Sequence, residues 1–148
     1  MLNQARKYLG ESAQRVEWIE GYITDAPIIQ FDAASCLMTL HMIPSYHEKL
    51  ATLKEIYKRL KPGAPFAIMD NCIDVKSTTG KRDLNRYSNF AISSGVDAEF
   101  VNNIKDMIEE KGSTISPEKE VQLLIEAGFV DVQLFFVGMT WHGWICYK

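Results

Sequence analysis

The stretch from Ala33 to Ile73 constrains the fold more than any other part of this chain. Ser45 and Glu48 form an S-x-x-E capping box, in which each side chain can satisfy the other's free backbone N–H. Behind it Leu50, Leu53, Ile56, Tyr57 and Leu60 recur at helical spacing on one face. Lys58, Arg59 and Lys61 suit the negative end of the helix dipole, and Pro62-Gly63 stops the helix. Two apolar runs flank it, Ala33 to Ile43 and Ala64 to Ile73, and each reads as a strand buried on both faces. Strand, helix, strand in this order predicts a parallel pair joined by a right-handed crossover, the unit of an α/β sheet.

The other elements fit around that unit. Leu2, Ala5 and Leu9 predict a first helix ended by Gly10, with no capping residue before Leu2. Val16 to Ile23 reads as a strand. Val75 to Lys81 reads as a polar loop, followed by two helices: one carries Leu84, Tyr87, Phe90 and Ala91, and the other is capped by Asp97 and ended by Gly112. Residues 75–112 are therefore expected as a helical insertion over one end of the sheet, within a single domain spanning 1–148. Ser116-Pro117-Glu118 starts a helix with the stripe Val121, Leu124 and Ile125, ended by Gly128. Alternating Val130, Val132, Leu134 and Phe136, then Trp141 to Tyr147 after a short connection, predict an antiparallel pair.

Charge and cysteine usage narrow the function classes. A formal net charge of −3 argues against a large phosphate-tracking surface and hence against a nucleic-acid partner. The longest apolar stretch, Phe31 to Pro44, is interrupted by polar residues and too short to cross a bilayer, so a soluble cytoplasmic protein is expected. Three scattered cysteines, Cys36, Cys72 and Cys146, fit neither a disulfide framework nor a zinc site and read as small buried hydrophobes.

Several pieces, in order, resemble class I S-adenosylmethionine-dependent methyltransferases of the ubiquinone-biosynthesis and carboxy-S-adenosylmethionine synthase type. They are Met1-Leu2-x-x-Ala5-Arg6, Val16-x-x-Ile19-x-Gly21-x-Ile23, Phe31-Asp32-Ala33-Ala34 with Leu40-His41-Met42-Ile43-Pro44, Leu60-Lys61-Pro62-Gly63, and Glu126-Ala127-Gly128-Phe129-x-x-Val132. The resemblance implies a Rossmann-like α/β fold of which this chain carries the later part, without the first two strands and the glycine loop that cradles the cofactor. It implies S-adenosylmethionine as the cofactor, bound weakly or not at all here. Gly21, Tyr22, Ile23, Leu37, Met38 and His41 fall at the family's cofactor edge. Tyr22 stands where the family usually has an aspartate, and it cannot make the same charge-assisted contact to adenine. In the synthase relatives an arginine of the helical insertion reaches across a dimer interface, and Arg82 and Arg86 lie in that region.

Individual residues carry a functional and a structural reading side by side. His41 reads as a general base or as a structural histidine at a strand end. His47 reads as a solvated helix residue, and His142 as a partly buried structural one. Asp70, Asn71 and Asp74 lie at the carboxyl edge, where α/β ligands bind, and also suit turn capping. Tyr87 and Trp141, with Phe90 and Trp144, read as walls of a substrate pocket or as core packing. The Ser77-Thr78-Thr79-Gly80-Lys81 loop lacks the context of a phosphate cradle, and no metal site is expected.

Two functions follow as expectations. One is methyl transfer from S-adenosylmethionine to a small molecule through an incomplete cofactor site, with no catalytic residue assigned. The other is a non-catalytic, truncated methyltransferase remnant that persists as a folded homodimer. Without its neighbouring strands, the apolar edge over residues 33–43 would stand open, and a second copy is the expected cover.

Overall fold

The computed structural model describes residues 1–148, the side chain of Lys111 excepted. The capping box forms as the sequence predicts: Ser45 Oγ accepts the Glu48 amide at 3.2 Å, and Glu48 accepts the Ser45 amide at 3.2 Å. It opens helix α2 (Tyr46–Lys58), which follows β1 (Ala34–Leu37) and precedes β2 (Pro65–Asn71). β1 and β2 pair in parallel, from Ala34 against Phe66 to Leu37 against Met69. The predicted crossover unit is present.

The terminal strands β3 (Val130–Gly138) and β4 (Trp141–Tyr147) form the expected antiparallel hairpin. β4 also pairs antiparallel with β2, giving a four-stranded sheet in the order β1-β2-β4-β3. Helix α5 (Pro117–Ala127), capped by Ser116 and ended by left-handed Gly128, packs beside α2. The main core lies between these two helices and one sheet face. Leu53 and Leu60 meet Leu123 and Leu124 there, over Phe66, Ile68, Trp144 and Cys146. Phe66 stacks on Phe129 with ring centroids 4.8 Å apart.

Helices α3 (Thr78–Ser93) and α4 (Ala98–Lys111) share a smaller cluster of Ile73, Val75 and Leu84 with Ile108. Helix α3 starts inside the predicted polar loop, because Ser77 Oγ accepts the Gly80 amide at 2.9 Å and caps it. Asp97 and Gly112 bound α4 as expected. Helix α1 (Leu2–Leu9) ends at Gly10 with φ 54°, also as expected.

Several expectations fail. Val16 to Ile23 is not a strand: it runs as extended chain into a short 3-10 turn at Ile23–Asp25. No neighbouring strand receives its backbone groups, so its apolar pattern has no ladder to join. The predicted strand over Ala33–Ile43 is cut to four residues. Met38 adopts a left-handed conformation with φ 57°, and a 3-10 turn at Leu40–Met42 follows. β1 is also not buried on both faces, since Ser35 and Leu37 are exposed. On α5 the apolar stripe is rotated: Ile125 is exposed, and Glu120, Leu123, Leu124 and Ala127 face the core. As the sheet edge, β3 leaves Val130, Leu134 and Phe136 exposed, with two register irregularities along its length. Among the described residues, no helix is long and apolar enough to cross a membrane.

Candidate functional site

Parallel pairing of β1 and β2 brings both strand ends to one edge of the sheet, where α/β folds place their ligands. His41 sits in the 3-10 turn just after β1, and Asp70 is the penultimate residue of β2. His41 Nδ1 and Asp70 Oδ1 are hydrogen-bonded. The Asp70 side chain is 2% exposed and that of His41 17% exposed, so a buried carboxylate holds a partly open imidazole. Trp141, the first residue of β4, presents its ring edge-on to His41 at 5.5 Å, and Tyr87 of α3 lies edge-on to Trp141 at 6.5 Å. His41, Tyr87 and Trp141, singled out separately in the sequence, thus meet at one place. With a carboxylate on Nδ1, the free Nε2 is suited to take a proton from a neighbouring group.

Two buried charges accompany this pair, and the sequence reading missed both. Lys49 on α2 and Glu120 on α5 are almost fully buried. Lys49 Nζ donates to the Leu40 carbonyl at 2.5 Å, directly before His41. Burial lowers the Lys49 ammonium, while Asp70 and Glu120 pull it back up. Burial, reinforced by Asp70 and opposed by Lys49, pushes the Glu120 carboxyl up to about 8. Spacing was the available signal. Lys49 stands in line with Leu53, Ile56 and Leu60, and Glu120 in line with Leu123, Leu124 and Ala127, so helical periodicity places both on the core face.

The residues at the family's cofactor edge are arranged differently. Tyr22 is 85% exposed, and its amide donates to Asp25 Oδ2 at 2.7 Å. A side chain at Gly21 would fall 2.2 Å from that same oxygen, so it would displace the Asp25 carboxylate from this hydrogen bond. Ile23 packs against the core. Buried Arg59 donates to the Thr24 and Ala26 carbonyls and ties this segment to the end of α2. Leu37 and Met38 are each more than half exposed, and the Met38 amide donates to Met69 O at 2.8 Å. Among the described residues, no hydrogen bond or ring contact joins Gly21, Tyr22 or Met38 to the His41 pair. Tyr22, Leu37 and Met38 thus lie on the open surface.

The remaining candidates have other partners or stand exposed. Trp144 is core, with His142 stacked on it at 5.8 Å, and His47 is exposed. Phe90 is exposed, as are Arg82 and Arg86, and Arg86 pairs with Asp83 on its own helix. Asp74 Oδ1 accepts the Lys76 amide, the turn role weighed for it. Cys72 and Cys146 are buried and Cys36 is half-buried; burial raises all three thiols, Cys36 to about 11. No three potential ligand side chains among the described residues could hold a metal ion.

Residues 1–68 match the model of a family described as a methyltransferase domain. The chain is 25% identical over 138 residues to carboxy-S-adenosyl-L-methionine synthase of Citrobacter koseri, covering 92% of this chain and 56% of that protein. It is 24% identical over 149 residues to the Wolinella succinogenes synthase, covering 100% of this chain and 61% of that protein. The chain is thus similar in sequence to a methyltransferase domain and to carboxy-S-adenosyl-L-methionine synthases. It spans little more than half the length of the curated relatives it matches. Solved methyltransferases share its fold. Human N-acetylserotonin methyltransferase in complex with SAM superposes with a TM-score of 0.65 at 19% identity, over 98% of this chain and 37% of that one. An O-methyltransferase family protein from Burkholderia thailandensis gives 0.69 at 16% identity, over 99% of this chain and 40% of that one. The four-stranded sheet with its helices thus has the Rossmann-like α/β fold that the resemblance implied.

Proposed function

We propose that this chain serves S-adenosylmethionine-dependent methyl transfer to a small molecule, with His41 as the base and Asp70 as its positioning partner. The observation that carries this reading is the His41–Asp70 pair at the carboxyl edge, bordered by Trp141 and Tyr87. A hydroxyl or ammonium group placed at Nε2 gives its proton to the imidazole, which frees the lone pair that will be methylated. Asp70 then balances the imidazolium. The cofactor, when bound, supplies a methyl group already activated on a sulfonium. Beyond that, the chemistry asks mainly for alignment and exclusion of water. In this reading the cofactor site within residues 1–148 is incomplete, because its surviving wall is open.

Calorimetric titration with S-adenosylmethionine and S-adenosylhomocysteine tests the incomplete site. The expected result is a dissociation constant on the order of 1 mM; micromolar binding overturns the incomplete site, and no heat at millimolar ligand overturns methyl transfer in favour of the non-catalytic reading. The base assignment is tested on a methyl acceptor found by screening small phenols and amines. His41→Gln should slow transfer by roughly 10²-fold or more, and an unchanged rate overturns it.

A non-catalytic homodimer is the second reading. The free edge of β1 favours it, since Leu37, Met38 and Met42 are each more than half exposed there. Sedimentation equilibrium decides this, and a monomer at tens of micromolar or above sinks it.

A further inference from the structure

The same edge of the sheet carries a second concavity. A cavity of about 460 Å³ lies between the N-termini of α3 and α5 and the turn that leads into Trp141. Its charged lining is mostly acidic: Asp74, Asp83 and Glu118 line it, His142 is the one basic side chain beside them, and no lysine or arginine is among the lining residues. Asp74 and Asp83 each spend one oxygen locally, on the Lys76 amide and the Arg86 guanidinium, both at 3.1 Å. Thr140 also lines the cavity. It is 1% exposed, and its hydroxyl has no hydrogen-bond partner among the described residues. A buried hydroxyl left unpaired is costly, so a ligand that supplies its partner is favoured. Ile73, Pro117 and Met139 add apolar surface.

We infer that this cavity binds an organic ammonium ligand, its charged nitrogen toward the carboxylates and the Thr140 hydroxyl, its apolar body against Ile73, Pro117 and Met139. Two helix N-termini would by themselves favour an anion. Here Ser77 and Ser116 already accept the first-turn amides of Gly80 and Lys119, and Glu118 adds a negative charge in the first turn of α5. A bare metal ion fits less well, because no three ligand side chains among the described residues converge. A cavity of this size suits a small organic molecule, whose ammonium needs only one carboxylate close by. The inference stands independently of the methyl-transfer reading, since it concerns binding alone.

The probe is 2-phenylethylamine, followed by amide chemical shifts of the intact chain, with 2-phenylethanol and 3-phenylpropionate as neutral and anionic counterparts. The amine should give saturable shifts at Gly80, Glu118 and Thr140, with a dissociation constant on the order of 1 mM. The alcohol and the acid should bind about tenfold more weakly or not at all. Thr140→Val and Asp83→Asn should each weaken the amine by about tenfold. Asp83 is exposed enough that its variant keeps the fold even if Thr140→Val does not. Equal binding of the three probes, shifts that never saturate, or an Asp83→Asn variant that binds like wild type would overturn the proposal.

Discussion

Asp70 and His41 meet across 29 residues of sequence because the parallel register of β1 and β2 delivers both to one edge of the sheet. A buried carboxylate facing Nδ1 fixes the tautomer: the proton stays on Nδ1 and Nε2 is the open acceptor. Long-range proton–nitrogen NMR should therefore report a protonated Nδ1 on neutral His41. In Asp70→Asn that preference should be lost. A native Nε2–H tautomer would contradict the role given to Nε2.

Glu120 should make stability pH-dependent. Its folded value, lifted from 4.5 to about 8 by burial and then by Asp70, means the folded chain keeps a proton that the unfolded chain releases. The contribution is complete below about pH 4.5 and is lost as pH rises through about 8. Urea midpoints should fall across that window, and Glu120→Gln should flatten the slope. A wild-type midpoint constant from pH 5 to 8 would show that Glu120 does not hold its proton.

Gly80 is confined by its own neighbourhood. A side chain there would lie 2.0 Å from the Asp74 carbonyl oxygen, which is backbone and cannot swing aside. Gly80→Ala should destabilise the protein by about 2 kcal/mol, despite the better helix propensity of alanine. Thermal unfolding measures this, and a neutral or stabilising result would mean the first turn of α3 is free to move.

The capping box offers a smaller, cleaner effect. Ser45→Ala removes the acceptor of the Glu48 amide and should cost about 1 kcal/mol in chemical denaturation. Glu48→Ala should lose less, because Glu48 is exposed and water can replace it. The reverse order would place the stability of the helix start in the acid.

What the sequence made legible was mostly local. Ser45, Ser116 and Asp97 cap their helices, and Gly10, Gly112 and Gly128 end theirs, because capping depends on a few adjacent atoms. The crossover and the hairpin followed from run lengths and short connections. Val16–Ile23 misled because a strand needs a neighbour, and a window of eight residues says nothing about who stands beside it. Ala33–Ile43 misled for a related reason: its composition is strand-like throughout, but Met38 turns the chain. At the candidate site, His41, Tyr87 and Trp141 were singled out as separate possibilities, and only the sheet register showed that they converge. Lys49 and Glu120 carry no motif that marks them, although their spacing puts both on the core face.

The raised thiols have a practical bearing. A thiol reacts through its thiolate, and burial keeps Cys36, Cys72 and Cys146 protonated at neutral pH. The folded chain should be slow toward maleimides and mild oxidants. One cysteine introduced at exposed Ser94 should then take a fluorophore selectively, without removal of the native three.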